Sequence, residues 1–548
     1  MKKLLLVVLL FSTLANAQSK RKKRLAEEKA SQELVANLQA HVKYLADDKL
    51  EGRRTGTKGE QLALAYIVQQ YQQIGLQPKG KDGYVQTFEI NEGKQFTSAT
   101  SLLINGHVLE QTTEYFPLTY SAQKSVKGTP AMALNESGQP WFKDLKEILE
   151  ENKTNPHFDI DETIRKEAEA IKAKGATALF LYNSSSVTDN VQFNKKDTSK
   201  QVAIPVVYIT KAGYKHYFFD NAASLDLAVN VQIAEQKRSA SNIIGYIDNH
   251  AANTVILGAH YDHLGYGEDK NALDTGHIIH NGADDNASGT AALIELAKIL
   301  VKSSPKNNNY LIIHFSGEEL GLFGSKHWID DPTINITANY MLNMDMVGRY
   351  DTSHKLTIGG YGTSPTWGEY FASVNNPQIL VKFDSSGSGP SDHASFYRKD
   401  MPVLFFFTGS HPDYHKATDD WDKINYDGEK SIVQMIHQLI IANDAKGKLV
   451  FTKTREAAAG RNNKLKVTLG VIPDYGYSGT GMRIDGVSPG KIAEKIGLQA
   501  GDVLLQLGDM KFVDVRSYMD ALGKFDKGDK TKLRILRGKE EKTFDIEL

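Results

Sequence analysis

The strongest constraint on the fold of this chain is a repeated strand–loop–helix pattern between residues 239 and 445. Four strand-sized apolar runs occur there, at Thr254–Gly258, Tyr310–Phe315, Tyr340–Met344 and Pro402–Phe407. Helical patterns occur after the first run, over Ala287–Lys302, and after the last, over about Gly428–Asn443. Strands that alternate with helices predict an α/β domain built around a largely parallel sheet.

Histidines and carboxylates stand just after these strands or in the loops nearby. They occur at five places, which are His260 with Asp262, the loop 282–289 with Asp285, the pair Glu318-Glu319, Asp345, and Ser391-Asp392-His393. In open α/β sheets the functional crevice lies outside the carboxyl ends of the strands. We therefore expect these side chains to converge at one edge of the sheet.

The residue types at these places suit a metal centre. The chain has 16 His and no Cys, so a metal site must use imidazole and carboxylate ligands, and a disulfide, a thiolate site and a Cys nucleophile are all excluded. Nitrogen and oxygen ligands of this kind suit Zn²⁺. One carboxylate can bridge two metals, and three ligating carboxylates leave a pair of Zn²⁺ ions with a net positive charge, which lowers the pKa of bound water. One member of the pair Glu318-Glu319 can bind metal while the other acts as general base.

This series of motifs is similar to the M28 family of zinc peptidases, the aminopeptidase Y-like group. The similarity covers the stretch HVKYLADDKLEGRRTGTKGEQLA and about residues 239–430. It implies a zinc-exopeptidase-like α/β catalytic domain, in which helices flank a mixed, largely parallel sheet.

The resemblance implies two Zn²⁺ ions per chain and a ligand set for each. His260 and Asp345 would hold one ion. Glu319 and His393 would hold the other, and Asp285 would bridge the two. The sequence therefore predicts a dinuclear centre made of five side chains.

Two further roles follow from the same resemblance. Glu318 matches the general base of the family, and Asp262 matches the carboxylate that orients the His260 ring, a common support for a ligating imidazole. The family also has a cis peptide bond after the bridging Asp, so we expect Asp285–Asn286 to be cis.

The other histidines near these motifs are expected to be loop residues. His263, His277 and His280 follow the first strand without a clear role. The stretch SHPDYHKATDDWDKI resembles a late family motif beside the active site, and there Tyr414 or His415 is a candidate for substrate contact.

The first 17 residues have the pattern of a secretory signal peptide. Lys2 and Lys3 precede the apolar run Leu4–Leu14, and an A-x-A cleavage site ends at Ala17. The apolar run is well short of the ~20 residues that a membrane span needs. We expect an exported protein, periplasmic or secreted, with no membrane span after cleavage.

The remaining chain is expected to divide into five segments. These are catalytic segments at 18–95 and 239–445, an insert at 96–238, a linker at 446–462 and a C-terminal domain at 463–548. In the insert, AIKAKGATALFLYN followed by AIPVVYITKAG resembles a protease-associated (PA) domain.

The C-terminal domain resembles a PDZ domain through GMRIDGVSPG and the later GDVLLQLG. PDZ domains bind extended peptide ends by adding a strand to a sheet edge. We expect such a loop near Thr468–Ile472, with a peptide C-terminus or another protein as partner.

The predicted function is that of an exported dinuclear zinc exopeptidase that acts on peptides. Among exopeptidases, the prediction is an aminopeptidase, which removes N-terminal residues. In this family a metal-bridged hydroxide attacks the peptide bond and a Glu serves as base. Alternatives are a carboxypeptidase or dipeptidase of the same family, a one-metal transferase such as a glutaminyl cyclase, or a non-catalytic PA/PDZ peptide-binding protein. The net charge of −1, from 65 Lys+Arg and 66 Asp+Glu, argues against nucleic acid as a partner.

Overall fold

The structure of the chain, a computed structural model, forms two compact units, Met1–Glu89 with Ser239–Ala458 and Ile90–Arg238 with Ala459–Leu548. It describes residues 2–153, 158–189, 191–195, 197, 199–218, 223–269, 271–303, 305–351, 356–373, 379–454, 467–473, 477, 479–487, 490–513 and 515–548, without the side chains of 2–20, 23, 303, 472, 485, 516 and 520. The side chains of the predicted signal peptide and residues 455–462 of the predicted linker lie outside this description.

The first segment contains two helices and two strands: α1 (Lys2–Leu45), α2 (Lys58–Ile74), β1 (Gln77–Pro78) and β2 (Val85–Phe96). Thr57 caps α2, since its side chain accepts the backbone N–H of Glu60 at 3.5 Å. Gly75 ends the helix in the left-handed conformation, with φ 84°, which glycine adopts without a Cβ penalty. Gly75 therefore serves as the C-cap of α2.

The insert consists of short strands and three helices. In chain order these are β3 (Ser101–Ile104), β4 (His107–Val108), β5 (Tyr115–Pro117), β6 (Ser125–Gly128), β7 (Trp141–Asp144), α3 (Lys146–Asn152), α4 (Ile160–Ala173), β8 (Leu179–Tyr182), β9 (Val206–Ile209), α5 (Lys211–Tyr217) and β10 (Leu227–Asn230). They form two four-stranded sheets, with the orders β4-β3-β10-β6 and β5-β9-β8-β7. Assignment of this insert to the PA domains stays a prediction.

The second catalytic segment contains the predicted alternation of strands and helices. In chain order it holds β11 (Ile233–Ile247), β12 (Asn253–His260), α6 (Gly289–Ser303), β13 (Asn308–Phe315), α7 (Phe323–Asp330), β14 (Ala338–Met344), β15 (Leu356–Gly359), α8 (Pro365–Ser373), β16 (Val381–Phe383), α9 (His393–Tyr397), β17 (Val403–Phe407) and α10 (Tyr426–Asn443). The four strands expected from apolar runs are β12, β13, β14 and β17.

These strands form one mixed sheet with the order β1-β11-β13-β12-β14-β17-β15-β16, and β2 pairs with β11. The pairs β12–β13, β12–β14, β14–β17 and β15–β16 are parallel. Alternate strand residues face opposite sides of the sheet: Leu257 and Ile312 pack in the cluster that includes α6 and α10, while Ile256 and Leu311 pack with Trp328 and Phe396 of α7 and α9. The predicted mixed α/β fold is confirmed.

The C-terminal part is a small antiparallel β-structure that packs around its own core. Its elements are β18 (Val471–Pro473), β19 (Met482–Val487), α11 (Ile492–Lys495), β20 (Val503–Leu507), β21 (Met510–Lys511), α12 (Val515–Leu522), β22 (Lys530–Arg537) and β23 (Glu540–Glu547). Leu469, Leu504 and Leu533 are buried in this core. Among the described residues of the whole chain, no helix has both the length and the apolar character that a membrane span requires.

Candidate metal centre

The sheet order brings four strand ends side by side. Strands β13, β12, β14 and β17 are neighbours and run parallel, so their carboxyl ends share one edge. His260 is the last residue of β12, Asp345 directly follows β14, and Glu318 and Glu319 follow β13. The predicted convergence of these side chains therefore has a direct cause in the strand order.

His260, Asp285 and Asp345 form the first half of the candidate centre. The Nε2 atom of His260 lies 3.4 Å from Asp285 Oδ1 and 3.4 Å from Asp345 Oδ1, and all three side chains are buried. Ser391 Oγ donates a hydrogen bond of 2.7 Å to Asp345 Oδ2, which leaves Oδ1 directed at the imidazole. This half agrees with the predicted grouping.

Glu319 and His415 form the second half. The Nε2 atom of His415 lies 3.2 Å from Glu319 Oε2 and 3.3 Å from Asp285 Oδ2. Asp285 therefore faces one imidazole with each of its two oxygens, as a bridging carboxylate must. His415 was expected only as a candidate for substrate contact, and it is the ligand candidate that the sequence missed.

The structure contradicts the prediction that His393 belongs to this group. His393 begins α9, and its ring stacks on Phe405 of β17 with 4.4 Å between ring centroids. Burial and the Arg398 cation lower the pKa of His393 to about 3, and none of the ion pairs found among the described residues includes it. The physical reason is side-chain direction, because α9 turns this imidazole towards the strand instead of towards Glu319.

His263 also lies beside the second half. Its Nδ1 atom is 2.7 Å from Glu319 Oε1, and His263, Asp285 and Glu319 offer three donor atoms within 4.8 Å of one another. The residue is buried, so it is not the plain loop residue that we expected. Unlike His415, it pairs with one carboxylate only among the described ion pairs, which suits a residue that orients Glu319.

Asp262 supports the centre in a different way from the one predicted. The Nδ1 atom of His260 lies 3.2 Å from the backbone carbonyl of Asp262 and 3.8 Å from its Oδ1, so the carbonyl is the closer acceptor. The Asp262 carboxylate accepts hydrogen bonds from Thr55 Oγ1 at 2.9 Å and from the backbone N–H of Glu318 at 3.2 Å. Asp262 thus links the His260 ring to the segment that carries Glu318.

The loop that carries Asp285 is held by a second buried carboxylate. Asp419 Oδ2 accepts the backbone N–H groups of Asp284 at 2.9 Å and of Asp285 at 3.0 Å. The peptide bond Asp285–Asn286 is cis, as predicted. The loop starts at Gly282, with φ 56°, where a Cβ atom would lie 2.2 Å from the carbonyl oxygen of Asp285, so only glycine fits there.

A buried arginine from the first segment lies behind the centre. The Arg53 guanidinium donates to the carbonyls of Tyr261 at 2.9 Å, Asn281 at 2.6 Å and Gly282 at 3.0 Å. Burial lowers the pKa of Arg53 to about 10, although Asp285 and other nearby carboxylates raise it. Arg53 therefore fixes the end of β12 and the Asp285 loop, a role that the GRRTG stretch alone did not indicate.

Negative charge dominates the electrostatics of the site. Burial would lower the pKa of His260, but Asp345 and Glu318 raise it well above its ordinary value. Burial would likewise lower the pKa of His415, but Glu319 and Asp285 raise it to about 11. Both imidazoles thus lie in an excess of carboxylate charge, and a bound divalent cation would supply the compensating charge in place of these protons.

The donor set suits zinc. Three carboxylates and two imidazoles are the oxygen and nitrogen ligands that zinc accepts. They fall into two groups, each with one imidazole facing two carboxylates, and the groups share Asp285. This geometry can hold one cation in each group.

Two other groups line the same edge of the sheet. Burial, followed by the charge of Asp285 and Glu319, raises the pKa of Tyr414 well above its ordinary value, and its ring stacks on His415 with 3.9 Å between centroids. The Tyr414 hydroxyl therefore stays a hydrogen-bond donor. Glu318 is half-buried, and burial and the Asp345 carboxylate raise its pKa well above the ordinary range against the lowering effect of His260.

Comparison with known proteins gives matches to two domain families. Residues 242–440 match the model of peptidase family M28, and residues 460–548 match a PDZ domain model. The chain is 28% identical over 284 residues to aminopeptidase YwaD of Bacillus subtilis, which is 48% of this chain and 56% of that protein. It is 27% identical over 192 residues to an aminopeptidase of Pseudomonas aeruginosa, which is 33% of this chain and 32% of that protein.

A solved zinc aminopeptidase from Bacillus subtilis is similar with a TM-score of 0.42 and 20% sequence identity, covering 76% of this chain and 98% of that one. The chain spans about half the length of the first of its curated relatives, YwaD. The chain therefore carries a peptidase domain of family M28 over residues 242–440 and a PDZ domain over residues 460–548.

Proposed function

We propose that the chain is a dinuclear zinc exopeptidase that removes N-terminal residues from peptides. One observation carries the proposal: the imidazoles of His260 and His415 each face two carboxylates at the carboxyl edge of the sheet, and both face Asp285. The M28 domain match and the similarity to proteins named aminopeptidases support the reaction class.

His260 and Asp345 would hold one zinc ion, Glu319 and His415 would hold the other, and Asp285 would contact both. Bound zinc supplies a Lewis acid for the scissile carbonyl and lowers the pKa of water towards neutrality. This ligand set keeps four of the five residues expected from the sequence and replaces His393 by His415.

Glu318 is the proposed general base. Its backbone N–H is held by Asp262 at 3.2 Å, which places the side chain beside the centre without making it a ligand. In its carboxylate form it can take up a proton from water and return it to the leaving amine. Tyr414 can donate a hydrogen bond to the carbonyl oxygen of the substrate and so stabilise the charge that develops there.

The test compares substrates that differ only at their ends. The full chain with zinc is assayed on leucine p-nitroanilide, on its N-acetyl derivative and on an N-acetylated dipeptide with a free carboxyl end. Cleavage of the first substrate alone, together with two zinc ions per chain by elemental analysis, supports an aminopeptidase.

Three other outcomes would replace the proposal by one of its alternatives. Cleavage of the acetylated dipeptide would show a carboxypeptidase. Conversion of N-terminal glutamine to pyroglutamate with one metal per chain would show a glutaminyl cyclase. A chain that binds no zinc and cleaves none of these substrates would act through its peptide-binding domain instead.

Peptide binding by the PDZ domain and export are further proposals. Strand β18 lies at the edge of its sheet, which leaves one side of it for an added peptide strand. A fluorescent peptide with a free C-terminus that binds the chain more tightly than its amidated form would support this role.

Export depends on residues 1–17, and N-terminal sequencing of the mature protein should start at Gln18.

A further inference from the structure

The second half of the candidate centre is held by one short segment, residues 271–281, which we name the buttress loop. The backbone carbonyl of Asn271 faces His415 Nδ1 at 2.8 Å, and Asn271 Nδ2 donates to the backbone carbonyl of Glu319 at 3.2 Å. The backbone N–H of Leu273 donates to the carbonyl of His415 at 2.8 Å. Glu319 and His415 are therefore both hydrogen-bonded to the three-residue stretch 271–273.

His415 depends on this support for two reasons. When one ring nitrogen binds a metal, the N–H on the other usually donates to a fixed acceptor, which sets the tautomer and the ring orientation; the acceptor here is the carbonyl of Asn271. The backbone of His415 is also left-handed, with φ 55°, a conformation that non-glycine residues hold only where their surroundings impose it. The bond from Leu273 holds that backbone.

The buttress loop is itself anchored away from the metal ligands. His280 Nε2 lies 2.6 Å from Asp274 Oδ1, and Asp274 Oδ2 accepts the backbone N–H of Ala417 at 2.8 Å. The backbone N–H of His280 donates to the carbonyl of Gly265 at 2.8 Å. These contacts connect the loop to the segment that carries His415, through Ala417, and to the turn after β12, through Gly265, so the loop can act as a support for His415.

The first half of the centre has a different support. His260 Nδ1 faces the carbonyl of Asp262, two residues further along the chain, and Asp345 is held by Ser391. Among the described residues, no hydrogen bond or ion pair joins the buttress loop to His260 or Asp345. A change in the loop should therefore act on one metal and not on the other.

The side chain of Asn271 connects the two supports. Its Nδ2 bond to Glu319 holds the residue whose own carbonyl faces His415, and its buried Oδ1 has no hydrogen-bond partner among the described residues. A substitution of Asn271 therefore removes its side-chain hydrogen bond to Glu319. The backbone carbonyl that faces His415 remains, but this bond no longer holds it in place. Building on the ligand set assigned above, we propose that Asn271 is a positioning residue that selectively tightens the zinc site of Glu319 and His415.

The test measures metal binding directly. The metal-free full chain, its Asn271→Ala variant and its Asn271→Leu variant, which keeps the side-chain volume without the amide, are titrated with Zn²⁺ against a competing chelator. The wild-type chain should bind two ions. In both variants one of the two affinities should fall by about 10–100-fold, the usual effect of removing a group that supports a ligand, while the other stays within about twofold.

Cobalt substitution identifies the site that weakens, since the visible spectrum of Co²⁺ follows its ligands. The Asn271→Ala, His415→Ala double variant should lose only the ion that His415→Ala alone loses. The matched control is Asn281→Ala, which deletes the same amide from the same loop, where it contacts Asp48 at 2.8 Å. Both affinities should stay at wild-type values there.

Each result separates this inference from the function on which it rests. A wild-type chain that binds fewer than two ions overturns the dinuclear proposal. A wild-type chain with two ions and Asn271 variants that bind both normally, or that weaken both equally, overturns only the role of Asn271. If both affinities weaken equally in Asn271→Ala, melting curves of the metal-free variants show whether a global loss of folding is the cause. The affinities of the Asn271→Leu variant then decide the role of Asn271.

Discussion

At the scale of single residues, the site depends on which histidine faces the carboxylates. His393 begins α9 before β17 and His415 follows β17, but His393 stacks on Phe405 while His415 lies within 3.3 Å of Asp285 and Glu319. An imidazole packed on an aromatic ring contributes to stability through its contacts, whereas one between two carboxylates is placed to bind a cation. The two residues should therefore respond in opposite ways to the same substitution.

Replacing His415 by Ala should leave one zinc ion per chain, because the second group then loses the imidazole that faces both of its carboxylates. His393→Ala should keep both ions and lower the melting temperature, because it opens a cavity in the packed interior. Elemental analysis after dialysis and thermal melting separate the two effects. Loss of an ion from His393→Ala, with two retained by His415→Ala, would restore the original ligand assignment.

Glu318→Gln should separate the base from the ligands. The amide cannot take up a proton from water, so kcat should fall by about 10²- to 10⁴-fold, the usual contribution of a general base. Zinc content should stay at the wild-type value, since Glu318 is not among the proposed ligands. Activity within tenfold of wild type would show that another group moves the proton.

At the scale of elements, a buried polar contact joins α1 to α6. Asn37 Nδ2 donates to Glu295 Oε2 at 3.1 Å, and His41 Nε2 lies 3.2 Å from Glu295 Oε1. Burial would raise the pKa of Glu295, but these hydrogen bonds and the Lys298 cation hold it below the ordinary value.

This pKa shift predicts how stability depends on pH. The folded chain holds the Glu295 proton more weakly than the unfolded chain, so its contribution is fully present above the unfolded pKa, about 4.3, and is lost as the pH falls through the lower folded pKa. Metal-free Glu295→Gln should therefore be less stable than wild type by about 1–3 kcal/mol at pH 7, and the difference should shrink below pH 4.

Urea unfolding of unit Met1–Glu89 with Ser239–Ala458, followed by its tryptophan fluorescence, measures this difference. Glu369→Gln is the matched control, because Glu369 pairs with Lys446 at the surface with 67% of its side chain exposed, where such pairs contribute little. A difference between Glu295→Gln and wild type that grows as the pH falls would mean that the sign of the shift is wrong.

At the scale of the whole molecule, the candidate ligands belong to one unit, Met1–Glu89 with Ser239–Ala458, and the PDZ match belongs to the other. A ligand that binds only the folded form stabilises the part that binds it. Metal removal should therefore act on one unfolding transition and leave the other in place.

Calorimetry of the intact chain with and without a chelator tests this prediction. At free zinc about 1,000 times Kd, each bound ion contributes about 4 kcal/mol to the unfolding free energy. For a unit of about 300 residues, each kcal/mol corresponds to a shift of roughly 1–2 °C. The transition of the peptidase unit should fall by several degrees on chelation. An equal fall in both transitions, or none in either, would contradict the assignment of the metals to this unit.

Much of the fold could be predicted because its signals are local. The strands β12, β13, β14 and β17 are apolar runs bounded by polar loops. The residues directly after these strands could be placed as well, since parallel neighbours bring their ends together. For that reason His260, Asp345 and the pair Glu318-Glu319 were found from the sequence.

The supports of the site could not be predicted in the same way. Arg53 bonds to carbonyls more than 200 residues away, as in its contacts to Tyr261 and Asn281, and Asp419 holds a loop 134 residues before it. Nothing in the local pattern around these residues indicates such partners. The contacts exist only because distant segments meet at the same edge of the sheet.

The amino-acid sequence by itself determined the class of the fold, the order of the strands along the chain and the kinds of side chain that follow them, because these depend on hydrophobic pattern and residue chemistry. Only the tertiary structure decided that His415, and not His393, faces Glu319 and Asp285. Side-chain direction within a loop or a short helix depends on the packing of neighbouring elements, and the spacing of residues along the chain carries no information about it.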